Sequence, residues 1–475
     1  MSSQSHGPGY ARRQRQKSES GHDGNAPHPK SPRRILGAFS AVILAAATIV
    51  AGSGPAAAAG ESDYTVVLKD SVTNVDSTAT AQGKEYGFTL SSTYEHALKG
   101  YSGTMTDSEA AQLGADPAVD FVAPERAFTL AEDADDDVID TASAGSLPAW
   151  WLRVGGTLEE AAEDGQEIAV NTAVIDTGID SSHPDLNVRG GVDCSAGTPV
   201  EVIPVDHYGH GTMVAGVLAA RNNTFGVIGT AYGAPLWSVR VMTDAGTISE
   251  AALLCAADWV VSTRTDQDEQ NDIQVANISI GGPGQDQGNC GNGSDPLHKM
   301  ICQGVAEGVT WTVAAGNAAT DFATTIPATY DEVLTATAMA DYDGRPGGKE
   351  TPLCSGGSVP SADDEFANFS NFAVQAADQQ HTIAAPGVCI TSTYPGGLYN
   401  TAHGTSFASP VVAGSVVRCI YSGMCGGDGS SVMKQFLASV EAFNNDNTKY
   451  GFNGDPLRPA SGKYYGYLAT TALCD

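Results

Sequence analysis

Ala173-Val174-Ile175-Asp176-Thr177-Gly178-Ile179-Asp180 is the stretch on which the reading of this chain turns. An unbroken run of small or β-branched apolar residues has the pattern of a strand buried on both faces in a parallel sheet. An acid at its end, followed by a glycine turn, puts Asp176 where such a strand opens into a crevice. Similar apolar runs recur at 236–241, 275–280, 309–314 and 333–337, and the stretches near 211–221, 249–262 and 298–307 read as helices. That alternation predicts an α/β fold, mainly a parallel sheet with helices on both faces, with reactive groups at the carboxyl ends of its strands.

Two further segments supply what a lone carboxylate lacks. His210 opens Gly211-Thr212-Met213-Val214-Ala215-Gly216, which reads as a tightly packed helix, and Ser406 sits between Gly404-Thr405 and a second apolar helix, Phe407-Ala408-Ser409-Pro410-Val411-Val412. Pro410 is expected in the first turn of that helix, where it is tolerated. Singly, each segment reads as a common turn or helix start. Together they give an acid, a base and a nucleophile: an imidazole to take the proton of a weakly acidic hydroxyl, and a carboxylate to hold that imidazole in the right tautomer. Both reactive side chains fall at helix N-termini, where free N–H groups favour negative charge.

With these residues in place, a family resemblance follows. VIDTGID at 174–180, HGTMVAG at 210–216, AAGN at 314–317 and GTSFASP at 404–410 resemble, in order, the signature segments of subtilisin-like serine proteases. The resemblance covers about 147–475, with support from His183-Pro184-Asp185-Leu186, Asn277-Ile278-Ser279-Ile280-Gly281-Gly282, Phe369-Ser370-Asn371-Phe372 and Ala385-Pro386-Gly387. It implies that Ser406 is the nucleophile, His210 the general base and then acid, Asp176 the orienting carboxylate, and Asn317 the side-chain donor of an oxyanion hole shared with the Ser406 N–H. It also implies that Ser279, Ile280 and Gly281 form a substrate-pairing strand. Met213 and Phe407 stand where many members carry His and Met, which affects packing and not proton transfer. No acid falls at 315–320, so neutral, apolar side chains are expected before the scissile bond. The resemblance implies no cofactor for the chemistry; many relatives use structural calcium, but no segment here spells a calcium loop and no metal ligand is assigned.

The chain has 24 basic and 55 acidic residues among 475, a net charge of −31. Seven bases and two acids lie in residues 1–60, leaving 17 bases and 53 acids, a net −36, in the remainder. Such a surface repels nucleic acid and anionic membranes, so neither is expected as a partner. Residues 1–59 read as an export signal: a basic region ending in Arg33-Arg34, an apolar run from Ile35 to Gly52, then small residues suited to cleavage. An uncleaved anchor is the alternative for that run. Residues 60–130 resemble, by position and by the split βαβ pattern of strands at 64–68 and 119–122 around a helix at 108–113, the inhibitory propeptide of many subtilisin-like proteases. Residues 131–146, beginning with the acidic run Glu132-Asp133-Ala134-Asp135-Asp136-Asp137, are expected to be a solvated linker holding a self-cleavage site. The peptidase domain is then 147–475.

All nine cysteines lie in that last segment, which suits disulfides formed outside the cytosol. Short loops favour Cys290–Cys302 and Cys419–Cys425; Cys194–Cys255 and Cys354–Cys389 complete one of several connectivities that spacing leaves open, with Cys474 left over. No C-x₂-C spacing points to zinc. The expected product is a secreted, monomeric endopeptidase, made as a self-processing zymogen, with protein or peptide substrates and its own propeptide as partners. The competing reading is a catalytically silent secreted binding protein on the same scaffold.

Overall fold

A computed structural model describes residues 60–131, 133–139, 147–162, 168–288, 293–347 and 361–473, with 290, 350 and 354 besides. The export signal, much of the linker and Cys474 lie outside the described residues. The N-terminal part runs β1 (Glu61–Leu68), α1 (Val75–Tyr86), β2 (Thr89–Tyr94), β3 (Gly100–Thr106), α2 (Asp107–Leu113) and β4 (Val119–Pro124). Its antiparallel sheet has the order β2-β3-β1-β4. Val66, Leu68, Val75, Ala79, Tyr101, Met105, Leu113 and Val119 fill the space between sheet and helices. A capping box starts α2, with Thr106 and Glu109 satisfying each other's backbone N–H groups.

Two strands carry the chain out of this unit. β5 (Ala127–Leu130) is inserted between strands of the following domain, and β6 (Asp133–Ile139) pairs antiparallel with the strand just before Gly404. Over 133–139 the acidic linker is therefore extended, as its charge suggests, but its backbone is paired where full solvation is expected from sequence. Strand addition satisfies N–H and C=O groups in a ladder whatever the side chains are.

The remainder runs α3 (Ala149–Arg153), α4 (Leu158–Ala161), β7 (Thr172–Asp176), β8 (Val188–Asp193), β9 (Val200–Glu201), α5 (His210–Ala219), β10 (Leu236–Arg240), β11 (Ile248–Ser249), α6 (Glu250–Thr265), β12 (Val275–Ile278) and β13 (Ile280–Pro283). Then follow α7 (Pro296–Ala306), β14 (Thr310–Ala314), β15 (Thr325–Ile326), β16 (Leu334–Ala340), β17 (Glu365–Phe366), α8 (Ala376–Gln379), β18 (Thr382–Pro386), β19 (Ile390–Tyr394), β20 (Leu398–His403), α9 (Thr405–Tyr421), α10 (Gly429–Asp446) and β21 (Tyr467–Leu468). The central sheet has the order β21-β18-β16-β14-β12-β7-β10-β8-β9 and is parallel from β21 to β8. Two apolar cores cover it: α5, α9 and α10 pack in one, α6 and α7 in the other. This is the α/β sandwich predicted from the apolar runs. The 275–280 run is split at Ser279, where the chain leaves the central sheet and β13 pairs with β5 instead.

Pro410 lies in the second turn of α9, not the first. A proline there removes the N–H that would bond the Ser406 carbonyl. The Ser279 hydroxyl donates to that carbonyl at 2.8 Å instead, so the cost is offset by a side chain from the cleft. All four proposed disulfides are present: Cys194–Cys255, Cys290–Cys302, Cys354–Cys389 and Cys419–Cys425.

Arg153, fully buried at the end of α3, ties the C-terminal segment to the sheet. Its guanidinium meets Asp341 at 2.7 Å, Asp364 at 2.7 Å and the Gly451 carbonyl at 2.9 Å. Arg153→Met leaves two acids without their cation in a dry site, which costs about 3–5 kcal/mol. Urea unfolding of the variant is expected to show a midpoint lowered by that free energy divided by an unchanged m-value; an unchanged midpoint would show that the cluster contributes nothing.

Candidate active site

Asp176 ends β7 at the carboxyl edge of the sheet, and His210 is the first residue of α5. Gly211 lets the two meet. A Cβ there would lie 2.2 Å from the Gly178 carbonyl oxygen and 3.1 Å from Asp176 Cβ, so only glycine allows the helix to approach the strand end this closely. His210 Nδ1 lies 2.8 Å from Asp176 Oδ1, and both side chains are almost wholly buried. The Thr177 N–H also donates to Asp176 Oδ1, at 2.7 Å. The turn ahead of His210 is held by Asp206, which accepts from Thr177 Oγ1, Tyr208 N, Gly209 N, Thr212 N and Thr212 Oγ1. Few freedoms remain to the imidazole. Its ring lies 5.4 Å from that of Phe407, the neighbour of Ser406.

Ser406 is the second residue of α9; its Oγ is buried and makes no hydrogen bond to a described residue. Gly404 before it has φ 152°, a backbone region that favours glycine, and a Cβ there would come within 2.8 Å of Ser406 Oγ, 2.8 Å of the Ala131 carbonyl oxygen and 3.2 Å of Asn317 Nδ2. Those three atoms surround the space that the missing side chain leaves. The Ala131 oxygen accepts from Asn317 Nδ2 at 2.7 Å and from the Ser406 N–H at 3.2 Å.

The orientation of the Asn317 amide is set by its other end. Oδ1 accepts from Thr405 N at 2.9 Å and Thr405 Oγ1 at 2.8 Å, which forces Nδ2 toward the Ala131 carbonyl. Asn371 pins the loop beneath: its Oδ1 accepts from Ala318 N and Thr320 N, and its Nδ2 donates to the Ala315 carbonyl. Neither Thr405 nor Asn371 is singled out by sequence reasoning. Thr405 lies inside a motif read for its serine, and Asn371 inside a segment used only as support.

Ser279, Ile280 and Gly281 line the other side of the cleft. The Ala131 N–H donates to the Ser279 carbonyl at 3.1 Å, and Ile280 and Gly281 pair antiparallel with Leu130 and Thr129. On its far side β5 pairs with β11, Phe128 with Ile248 and Ala127 with Ser249. The structure thus gathers Ser406, Asn317, Ser279, Ile280 and Gly281 around one extended segment, while Asp176 and His210 form a buried pair whose imidazole lies against Phe407, next to Ser406. The Phe128 ring is buried over Gly282 in the core that carries α6 and α7.

Among the described residues, three groups have the donor types of a metal site. Two are built on disulfide-bonded pairs, Cys290–Cys302 and Cys354–Cys389, which cannot ligate as thiolates. The third is Asp341, Asp343 and Asp363. Its carboxylates are committed to Arg153 and Gly344 N, to Arg345 N, and to Tyr342 N and Glu350 N respectively. Subtilisins need no cofactor for catalysis and commonly bind structural calcium; no calcium ligand is assigned to these residues.

A parallel α/β sheet with a carboxylate–imidazole pair and a helix-N-terminal serine at its carboxyl edge, facing a strand-binding cleft, defines the class: serine endopeptidases. Residues 167–423 match the model of the "Subtilase family", and residues 54–131 match "Peptidase inhibitor I9". The chain belongs to the subtilase family. It is 36% identical over 250 residues to subtilisin of Bacillus pumilus, covering 52% of this chain and 74% of that one. It is 36% identical over 250 residues to subtilisin E of Bacillus subtilis, covering 52% and 54%. Against subtilisin E it therefore spans about half of the relative's length. In fold it is similar to crystalline fervidolysin from Fervidobacterium pennivorans, a keratinolytic enzyme related to subtilisin, with TM-score 0.62 and 20% identity over 87% of this chain and 60% of that one.

Proposed function

We propose that this chain is a secreted serine endopeptidase made as a zymogen that cuts itself between Ala131 and Glu132. The observation that carries this reading is the Ala131 carbonyl oxygen, seated between the Ser406 N–H and Asn317 Nδ2 while its own N–H is bonded to Ser279. A peptide held this way presents its carbonyl carbon to the Ser406 hydroxyl. In this mechanism Ser406 Oγ attacks, its proton passes to His210 Nε2, and Asp176 holds Nδ1–H and stabilises the imidazolium. The Ser406 N–H and the Asn317 amide take the developing oxyanion. The C–N bond to Glu132 then breaks, His210 returns the proton to the leaving amine, and water releases Ala131 as a carboxylate by the reverse roles.

The proposed division is an export signal at 1–59, an inhibitory propeptide at 60–130, a linker with the processing site at 131–146 and the peptidase at 147–475. After the cut, the new carboxyl end at Ala131 still fills the cleft, which accounts for inhibition by the propeptide. The sequence of that tail also suggests preference: a small residue at the position of Ala131 and an aromatic at that of Phe128, three residues earlier. Secretion rests on the signal pattern and the disulfides; among the described residues no helix is long and apolar enough to cross a membrane.

Asn317→Ala removes one oxyanion donor and is expected to lower kcat roughly 100- to 1,000-fold, the loss known when subtilisin itself loses this donor, with KM changed only a few-fold. Steady-state kinetics on an Ala-directed peptide tests it. A kcat within threefold of the parent would remove Asn317 from the mechanism.

A further inference from the structure

Five residues before Ala131, Arg126 reaches across to two acids that head neighbouring helices, Glu250 on α6 and Asp295 before α7. Its Nε donates to Glu250 Oε2 at 2.9 Å, and its Nη1 and Nη2 donate to Asp295 at 2.8 and 2.7 Å. Nη2 also donates to Glu250 Oε1. The guanidinium is thereby held by both carboxylates, each in two-point contact, the geometry in which arginine is bound most selectively. Glu250 is fully buried and Asp295 is 3% exposed.

Helix capping accounts for only part of this pair. Asp295 does cap α7, accepting from His298 N, but the cap of α6 is Ser249, whose Oγ accepts from Ala252 N. Glu250 is therefore free of that duty, and both its oxygens face Arg126. The Tyr330 hydroxyl donates to Asp295 Oδ2 at 2.7 Å and fixes that carboxylate from behind. Burial raises the Glu250 carboxyl above its ordinary range against the pull of Arg126. At Asp295 burial acts the same way, but Arg126 and Tyr330 outweigh it and hold that carboxyl low.

On the side of the inserted segment, the register that delivers Arg126 here uses main-chain groups alone. Bonds from Ala131 to Ser279, the pairing of Leu130 and Thr129 with β13, and of Phe128 and Ala127 with β11, continue into a reciprocal pair: Arg126 O accepts from Glu250 N, and Arg126 N donates to Glu250 Oε2. Any extended substrate can make nearly all of these bonds, so its sixth residue before the cut would arrive at the same two carboxylates. Once the propeptide leaves, those carboxylates face each other without a cation. We propose that Glu250 and Asp295 form a binding site for a cationic side chain six positions before the scissile bond, filled by Arg126 in the zymogen and by arginine in protein substrates afterwards. The acidic surface of the mature segment would draw basic substrates toward it.

The inference rests on the reading of the cleft as a peptidase site, and one peptide series tests both. Mature wild-type enzyme is given quenched fluorescent peptides containing Arg-Ala-Phe-Thr-Leu-Ala-Glu, and the same peptide with Gln or Asp in place of Arg. The arginine peptide is expected to have kcat/KM about 10-fold above the Gln peptide and further above the Asp peptide, a ratio in the range of charge-assisted hydrogen bonds. The ratio is expected to fall toward one in Glu250→Gln, and in Asp295→Asn should the first variant not fold. Equal cleavage of all three peptides by wild-type enzyme overturns the cationic site and leaves the peptidase standing. Cleavage of none overturns both.

Discussion

Ser406→Ala is expected to yield an uncut chain in which residues 131 and 132 stay joined, and to lower peptide hydrolysis by roughly 10⁶-fold. That is the size of the loss subtilisin suffers when its own nucleophile is removed. The reason is local. The Ala131 carbonyl already sits on the Ser406 N–H and Asn317 Nδ2, and both donors survive the change, so binding persists while the attacking oxygen is gone. The variant should therefore remain folded with its tail in the cleft. Intact mass measures the first effect, and residual turnover of the variant peptidase freed of its inhibitory tail measures the second. A Ser406→Ala chain purified free of other proteases that still cuts at this bond would place the nucleophile elsewhere.

Asp176→Asn is the second large effect. Asp176 Oδ1 accepts from His210 Nδ1 at 2.8 Å in a buried site, which keeps Nε2 as the basic nitrogen. An amide at this position can donate to Nδ1 instead, leaving the proton on Nε2 and the wrong face turned to Ser406. A fall of about 10⁴ in kcat is expected with KM little changed, as in other enzymes of this triad chemistry. The fold should tolerate it, since the side chain keeps its shape. A kcat within tenfold of the parent, measured on folded protein, would show that the carboxylate is not needed for orientation.

Much of the architecture was legible because buried parallel strands announce themselves as continuous apolar runs: β7, β10, β14 and β16 fall within a residue or two of the stretches read from sequence, apart from a longer end to β16. The same signal fails for α1. Its Val75-Asp76-Ser77-Thr78-Ala79-Thr80 start has little apolar stripe, and the helix forms under an Asn74 cap and against a small core. β5 escapes sequence reasoning for a different reason: four residues between an inhibitory domain and an acidic run gain strand character only from partners on either side. The split at Ser279 is likewise tertiary, because an apolar run cannot say where one ladder ends and another begins. At the site, the motifs lead to a buried Asp176–His210 pair and to Ser406, Asn317 and Ser279–Gly281 around the chain at 129–131, while Thr405, Asn371 and Asp206 act through them and have no signature of their own. The second-turn position of Pro410 shows the same limit, since only the fold reveals that Ser279 supplies the bond the proline removes.

The central claim is that this molecule is its own first substrate at one bond. N-terminal sequencing of the mature form, made from purified zymogen with no other protease present, tests it most directly. The account predicts a new terminus reading Glu-Asp-Ala-Asp, from Glu132. A mature chain that begins instead within the inhibitory unit, or well downstream of the linker, would contradict it.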